Sequence, residues 1–314
     1  MSEELSDRIY QAQCMGNIEP IEYMVPYPNI YSLIEGENIK YSHRILFTSY
    51  NLTNKDFFRL VHQGANWLRE NGLQPKERVF IHDLEYPMAE IISFSIWAYG
   101  ATVILASSTS KQKDLSKIKP SFVVNATNCP SIESLTNYST KFMPTFRPAL
   151  HHEALIYCVA DKIIQLSHYN LLVNTNGLQK YLGLNRDDTF LVKLAPESTA
   201  WAVLQLLLPL YAAASITNIN PKIILGMEGQ FDNSDYIIKM DWTEISKDNN
   251  IIFILPENTA VLCIGDKPIH MTAIEKQNKI MKINGHSVMM GYMNKNNNED
   301  VFRKNGMMIK KNLI

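Results

Sequence analysis

Apolar residues recur at three- and four-residue spacing through TNKDFFRLVHQGANWLRENG, where Phe57, Leu60, Val61, Ala65 and Leu68 fall on one face. That period predicts an amphipathic helix. Thr53 can cap it, with Asp56 three residues on as a weak capping box, and Gly72 can close it in a left-handed conformation. ERVFIHDL then predicts a strand over Arg78–Asp83. Pro87 opens PMAEIISFSIWAYGA, a helix apolar nearly all round and so expected to be covered on most sides. Continuous apolar strands follow at Ala101–Ala106 and Ser121–Ala126. Strand, helix, strand, linker, strand is the pattern of a parallel sheet covered by helices.

The first fifty residues are harder to read. They predict a short amphipathic helix within IYSLIEGENIKYSHRILFTSY, then a strand over Ile45–Ser49. Residues 127–153 are polar, with three prolines, and read as a surface connection. ALIYCVADKIIQLSHYNLL predicts two strands around a two-residue turn, then a helix over His168–Leu182. Ser167 is its N-cap, and Gly183 lies just past its end. A further helix over Thr199–Ala213 leads to the strand SITNI. Periodicity is lost over 220–250, and from Ile251 short strands alternate with turns, as in a small antiparallel unit. The expected fold is α/β, with layered, mostly parallel sheets, flanking helices and a small β-rich C-terminal part. Three parts are expected: residues 1–150, 151–250 and 251–314.

Composition narrows the class. Hydrophobic residues make up 46% of the 314, enough for a sizeable core. Thirty Lys and Arg balance thirty-one Asp and Glu, so no nucleic acid or anionic membrane is expected as partner. The four cysteines lie far apart and form no CxxC pair, which reads as reduced, mostly buried thiols in a cytoplasmic protein. MSEELSDRIYQAQ lacks the features of a secretory signal. AWAVLQLLLPLYAAA is broken by Gln205 and Pro209 and falls short of the about 20 residues a membrane span needs, so a buried helix is expected.

Five stretches, in order, resemble the N-terminal domain of the acyl-adenylate-forming superfamily, the AMP-dependent synthetases and ligases that include acyl-CoA synthetases and 4-coumarate ligases. NKDFFRLVHQGANWLRENGLQPKERVFI is similar to an early helix, a turn of the form GL.PGDRV and the next strand. PMAEIISFSIWAYGATVILA, LSHYNLL, MDWTE and SVMMGYMNKNNNEDVFRKNGMMI follow in the family's order. The resemblance implies a domain that activates a carboxylic acid with ATP and Mg²⁺, giving an acyl-adenylate that most members pass to a thiol. Such chemistry needs phosphate-holding donors and a cation at the developing charge.

The same resemblance names candidate residues and departures. In the family the phosphate loop reads roughly YTSGTTGxPKGVxLSH, whose glycines let backbone N–H groups converge on phosphate. Here Tyr157 to His168 is four residues shorter, with no glycine and with Asp161 where phosphate would lie; Lys162 stands in for the loop lysine. In MDWTE, Thr243 would contact the nucleotide phosphate, with Trp242 beside it, and Glu244 would ligate Mg²⁺. Asp241 replaces the expected glycine. Pro196–Thr199 lacks the aromatic or histidine that borders the family's acyl pocket, and nearby Trp201 reads as a core residue. Asn312 falls at the ribose-binding aspartate. The stretch between hairpin and Glu244 is short for the family, and its C-terminal lysine domain is expected to be absent.

Other constellations are weaker. His151, His152 and His168 could suggest a metal, and Ser167 with His168 a nucleophile and base, but adjacent linker histidines are usually solvated and neighbours on a helix start point apart. The leading expectation is a degenerate acyl-CoA synthetase-like pseudoenzyme, with ATP or AMP and Mg²⁺ retention in doubt. The alternatives are an active acid:thiol ligase with an unusual phosphate site or a partner-supplied lysine, and a non-catalytic interaction module. A small carboxylic acid, a nucleotide or a protein is the expected partner class.

Overall fold

The computed structural model describes residues 3–107, 116–277 and 279–310. Three sheets organise them. A six-stranded sheet runs in the order Gly291–Tyr292, Lys162–Ser167, Glu153–Val159, Thr102–Ala106, Arg78–Ile81, Phe122–Val124. Its last four strands are parallel, and the Lys162–Ser167 strand pairs antiparallel on both sides. A nine-stranded sheet has six parallel strands at its centre, from Ile45–Phe47 through Ser215–Ile216, Thr189–Val192, Ile223–Met227 and Tyr236–Lys239 to Ile251–Ile254. A four-stranded antiparallel sheet comprises Thr272–Gln277, Ile280–Gly285, Phe302–Arg303 and Gly306–Lys310.

The expected α/β layering is present, and most helices fall where their periodicity placed them. Thr53 caps Asn54–Glu70 by accepting from the Asp56 N–H. Ser167 and Asn170 form a full capping box at the start of His168–Leu182, and Gly183 closes it at φ 61°. Met88–Tyr99 is buried along nearly its whole length and ends at Gly100 with φ 80°. It packs against Asn54–Glu70 at Gly64, where an added Cβ would lie 2.3 Å from Ser95 Oγ. Trp97, Phe57 and Phe94 fill this layer, and fully burying such a side chain is worth about 1.5–3 kcal/mol. Trp97 also donates its indole N–H to the Ala154 carbonyl at 2.8 Å, tying the helix to the Glu153–Val159 strand.

Three local expectations differ from the structure. The 220–250 stretch holds two central parallel strands, Ile223–Met227 and Tyr236–Lys239. They are short and bounded by polar loops, so no period develops over a window long enough to read. Ile251–Ile254 extends that parallel run, and antiparallel pairing begins only with Val261–Ile264. The helix expected over Thr199–Ala213 is a π-helical segment, Ala202–Leu207, followed by Leu208–Tyr211, with Pro209 in the first turn of the latter. The polar N-terminus forms a helix, Glu3–Gln13, that buries Leu5, Ile9 and Ala12. Its Arg8 donates to the Phe302 carbonyl at 2.9 Å, and Gln13 donates to the Met289 carbonyl at 2.9 Å. No helix among the described residues is long and apolar enough to cross a membrane.

Candidate functional site

The hairpin at the expected phosphate-loop position is closed. Val159 pairs with Lys162 across the turn Ala160–Asp161, and Ala160 takes φ 52°, a conformation more natural to glycine. Both strands lie inside the sheet, so their backbone groups serve its ladders: Ser107 N–H donates to the Cys158 carbonyl and Met293 N–H to the Ile163 carbonyl. A phosphate cradle needs N–H groups that converge on empty space, and this ladder leaves no such row.

Lys162 is paired with a buried carboxylate. Its Nζ lies 2.9 Å from Glu257 Oε1, and the Glu257 side chain is only 4% exposed. Tyr292 donates its hydroxyl to the same oxygen at 2.7 Å, and burial together with Glu257 holds that phenol strongly protonated. Lys162 also stands over the Tyr292 ring.

Trp242, Thr243 and Glu244 share one 3₁₀ turn after the Tyr236–Lys239 strand, on a different sheet from Lys162. Trp242 is buried. The Asp241 carboxylate caps the turn by accepting from the Thr243 N–H at 2.9 Å and from its hydroxyl. Asp241 thus satisfies the turn where the family resemblance expects glycine. Glu244 Oε2 sits 3.0 Å from Lys239 Nζ, and that ammonium is held further above its usual range by the bond. Magnesium asks for several oxygens in near-octahedral array, commonly one or two carboxylates with waters and phosphates. At this turn one carboxylate is neutralised by lysine and the other is committed to Thr243, and among the described residues no group of three His, Cys, Asp or Glu could hold a metal ion. The residues present do not fit a magnesium site. Asn312 lies outside the described residues.

The other constellations resolve structurally. Ser167 caps its helix through Asn170, while His168 is fully buried and accepts from the Ile30 N–H at 3.4 Å. Burial pushes the His168 imidazole down to about 3, so it stays neutral. His152 accepts from the Ala149 N–H at 3.0 Å.

A large cleft lies elsewhere, with a volume of about 870 Å³. It opens at the carboxyl ends of parallel strands from two sheets, where open α/β folds place ligands. Asp83, Glu85 and Tyr86 follow the Arg78–Ile81 strand; Lys193 to Glu197 follow Thr189–Val192; Thr217 follows Ser215–Ile216. Within it, Gln205 donates from Nε2 to Glu90 Oε1 at 2.7 Å and accepts from the Leu194 N–H at 2.7 Å. Burial raises the Glu90 carboxyl to about 7, against the lowering pull of the Gln205 and Trp201 side chains. Trp201, expected in the core, is fully buried and also lines this cleft. Of the residues named with the family resemblance, Pro196, Glu197 and Trp201 line it, whereas Lys162, Trp242, Thr243 and Glu244 do not. The signal that could have found it is a lone carboxylate, Glu90, in an otherwise apolar helix, and a lone amide, Gln205, in the most apolar run of the chain.

No family model matches the chain, and no curated protein matches it in sequence. Solved structures do match. The N-terminal subdomain of Klebsiella oxytoca NpsA, in complex with anthranilyl-AMSN, superposes with a TM-score of 0.71 at 14% identity, over 91% of this chain and 94% of that one. Unliganded O-succinylbenzoate coenzyme A synthetase (MenE) of Bacillus subtilis gives 0.72 at 11% identity, over 90% and 75%. ATP-bound MatB of Rhodopseudomonas palustris gives 0.70 at 14% identity, over 91% and 75%. The fold is that of the N-terminal domain of acyl-CoA ligases and adenylation domains, and the likeness at this identity is one of fold.

Proposed function

We propose that the chain is an acyl-CoA synthetase-like protein with little or no acid-activating activity of its own. The observation that carries this reading is the closed Val159–Lys162 hairpin, whose lysine is bonded to the buried Glu257 at 2.9 Å. Acid activation by ATP concentrates negative charge at the reacting phosphate and needs donors waiting there. This segment offers a satisfied ladder and the Asp161 carboxylate instead.

What survives of nucleotide recognition is assigned to the Trp242–Glu244 turn. The ATP-bound MatB and the NpsA complex, which share the fold, support an ancestral nucleotide site. A carboxylate-dependent pyrophosphate-exchange assay on the purified protein, across fatty and aryl acids, tests the reading. The expected result is exchange no higher than in a Glu244→Ala control, and clear exchange above that control would overturn it.

A further inference from the structure

Residues 14–24 join the helix Glu3–Gln13 to the chain that enters the helix Ile30–Tyr41, and they bury little apolar surface. Ile18, Ile21 and Met24 are 42%, 39% and 87% exposed. Ile21 takes φ 75°, a backbone conformation rare for a β-branched residue. A segment with so few buried apolar contacts sits at the low end of local stability. Polar links hold it down instead. His286 Nε2 lies 3.3 Å from the Ile18 carbonyl, and His286 Nδ1 lies 2.6 Å from the Tyr169 hydroxyl. That hydroxyl donates to the Tyr23 carbonyl at 3.1 Å. The Tyr23 hydroxyl donates to Asn176 Oδ1 at 2.9 Å and accepts from Lys180 Nζ at 2.7 Å. Pro20 and Ile21 of this strap, with Ser167, Tyr169, Asn170 and His286, line a pocket of about 230 Å³.

The chain of links from Ile18 through His286 and Tyr169 to Tyr23 is one hydrogen short. Its three links each need a hydrogen, while a neutral imidazole supplies one and a phenol one. One of the two strap carbonyls therefore faces a lone pair. An imidazolium would supply the missing hydrogen, but His286 is fully buried and that charge would have to be buried with it. Tyr169 faces the ring from the helix His168–Leu182, Tyr23 and Glu22 act on it from the strap, His270 from the turn before Thr272–Gln277, and His151 lines the same pocket. Lys180 adds a positive charge at Tyr23. None of these groups is a carboxylate bonded to the imidazole. Burying an ion without a bonded counter-charge costs more than one completed hydrogen bond returns.

We propose that residues 14–24 are an acid-released strap: His286 is neutral while the strap is closed over it and takes up a proton as the strap lifts and water reaches the ring, so that acid uncovers the pocket beneath. The proposal goes beyond the loss of acid activation, since it concerns a different part of the fold and no nucleotide. The sign follows from burial, which holds the His286 imidazole below its usual 6.5, with the Ile18 carbonyl and Glu22 pulling the other way and His270 reinforcing it. The closed strap thus binds a proton more weakly than the open one. Closure is favoured above pH 6.5 and is lost as pH falls below it.

The test is hydrogen–deuterium exchange of the full chain, read by mass spectrometry on peptides covering residues 14–24 and corrected for intrinsic rates. The buried helix Asn54–Glu70 serves as the reference that reports whole-chain unfolding. Between about pH 7.5 and about pH 5, protection of the strap relative to that helix is expected to fall at least about fivefold. His286→Gln, which does not titrate, is expected to remove that dependence. Tyr169→Phe cuts the link to the Tyr23 carbonyl and is expected to lower strap protection already at about pH 7.5. Equal relative protection at the two pH values, a strap better protected in acid, or a pH dependence that survives in a folded His286→Gln would each overturn the proposal. Undiminished protection in Tyr169→Phe would do the same. The His286 ring resonance in the parent chain gives a reading that needs no variant: titration below 6.5 supports the strap, and titration at or above 6.5 overturns it.

Discussion

Gln205 donates to Glu90 at 2.7 Å, joining a polar residue from each of the two most apolar helical stretches of the chain. The contact lies in the wall of the large cleft and fixes one carboxyl oxygen, and the Trp201 side chain also favours the charged form. Polar groups this deep are retained at a cost in stability, and that cost depends on pH.

The sign follows from the direction of the shift. Burial lifts the Glu90 carboxyl from 4.5 to about 7, so between those values the folded chain holds a proton that the unfolded chain has released. Stability contributed by the neutral carboxyl is full below about pH 4.5 and is lost as pH rises through 7. Glu90→Gln has no such loss. Relative to the parent, its unfolding free energy is expected to improve by about 3 kcal/mol between about pH 4 and about pH 8. Urea denaturation at several pH values checks this, and a pH-independent difference would contradict it.

His168 predicts the opposite limb. Its imidazole is depressed to about 3 from 6.5, so its contribution is present above pH 6.5 and is lost as pH falls toward 3. His168→Asn keeps a side-chain acceptor for the Ile30 N–H but does not titrate there. The parent is expected to lose roughly 4 kcal/mol more than this variant between about pH 7 and about pH 3.5, read from the same denaturation series.

Lys162 is expected to behave as a structural residue. Its side chain is 39% exposed, but its partner Glu257 is buried and relies on Lys162 and Tyr292 for donors. Lys162→Met is expected to cost about 1–2 kcal/mol, below the figure for a fully buried pair and above that of a typical surface lysine. Thermal denaturation measures it; a change within about 0.5 kcal/mol would show that the pair is unimportant.

Much of the fold was legible because its helices are long enough to show a period and carry their own caps: Thr53, Ser167 and Gly183 mark ends that the structure keeps. The central strands Ile223–Met227 and Tyr236–Lys239 were not legible. A strand of four or five residues, buried by its sheet rather than by an alternating pattern, leaves too short a signal. The N-terminal helix was missed for a related reason. Its buried face is only Leu5, Ile9 and Ala12 among charged neighbours, and its stability comes from docking on the Phe302–Met289 side of the molecule. The hairpin was read correctly as a two-residue turn from CVADKII. The cleft was not, since it is assembled from strand ends distant in sequence, and Glu90 and Gln205 become neighbours only in the fold.

The measurement that bears most directly on the loss of phosphate chemistry compares AMP with magnesium ATP by calorimetric titration. The two ligands differ in the β- and γ-phosphates, with their magnesium, that a working loop would hold. With the Val159–Lys162 hairpin closed and Lys162 bonded to Glu257, magnesium ATP is expected to bind no more tightly than AMP. Magnesium ATP binding about tenfold or more tightly than AMP, with the gain abolished in Lys162→Met, would contradict the account.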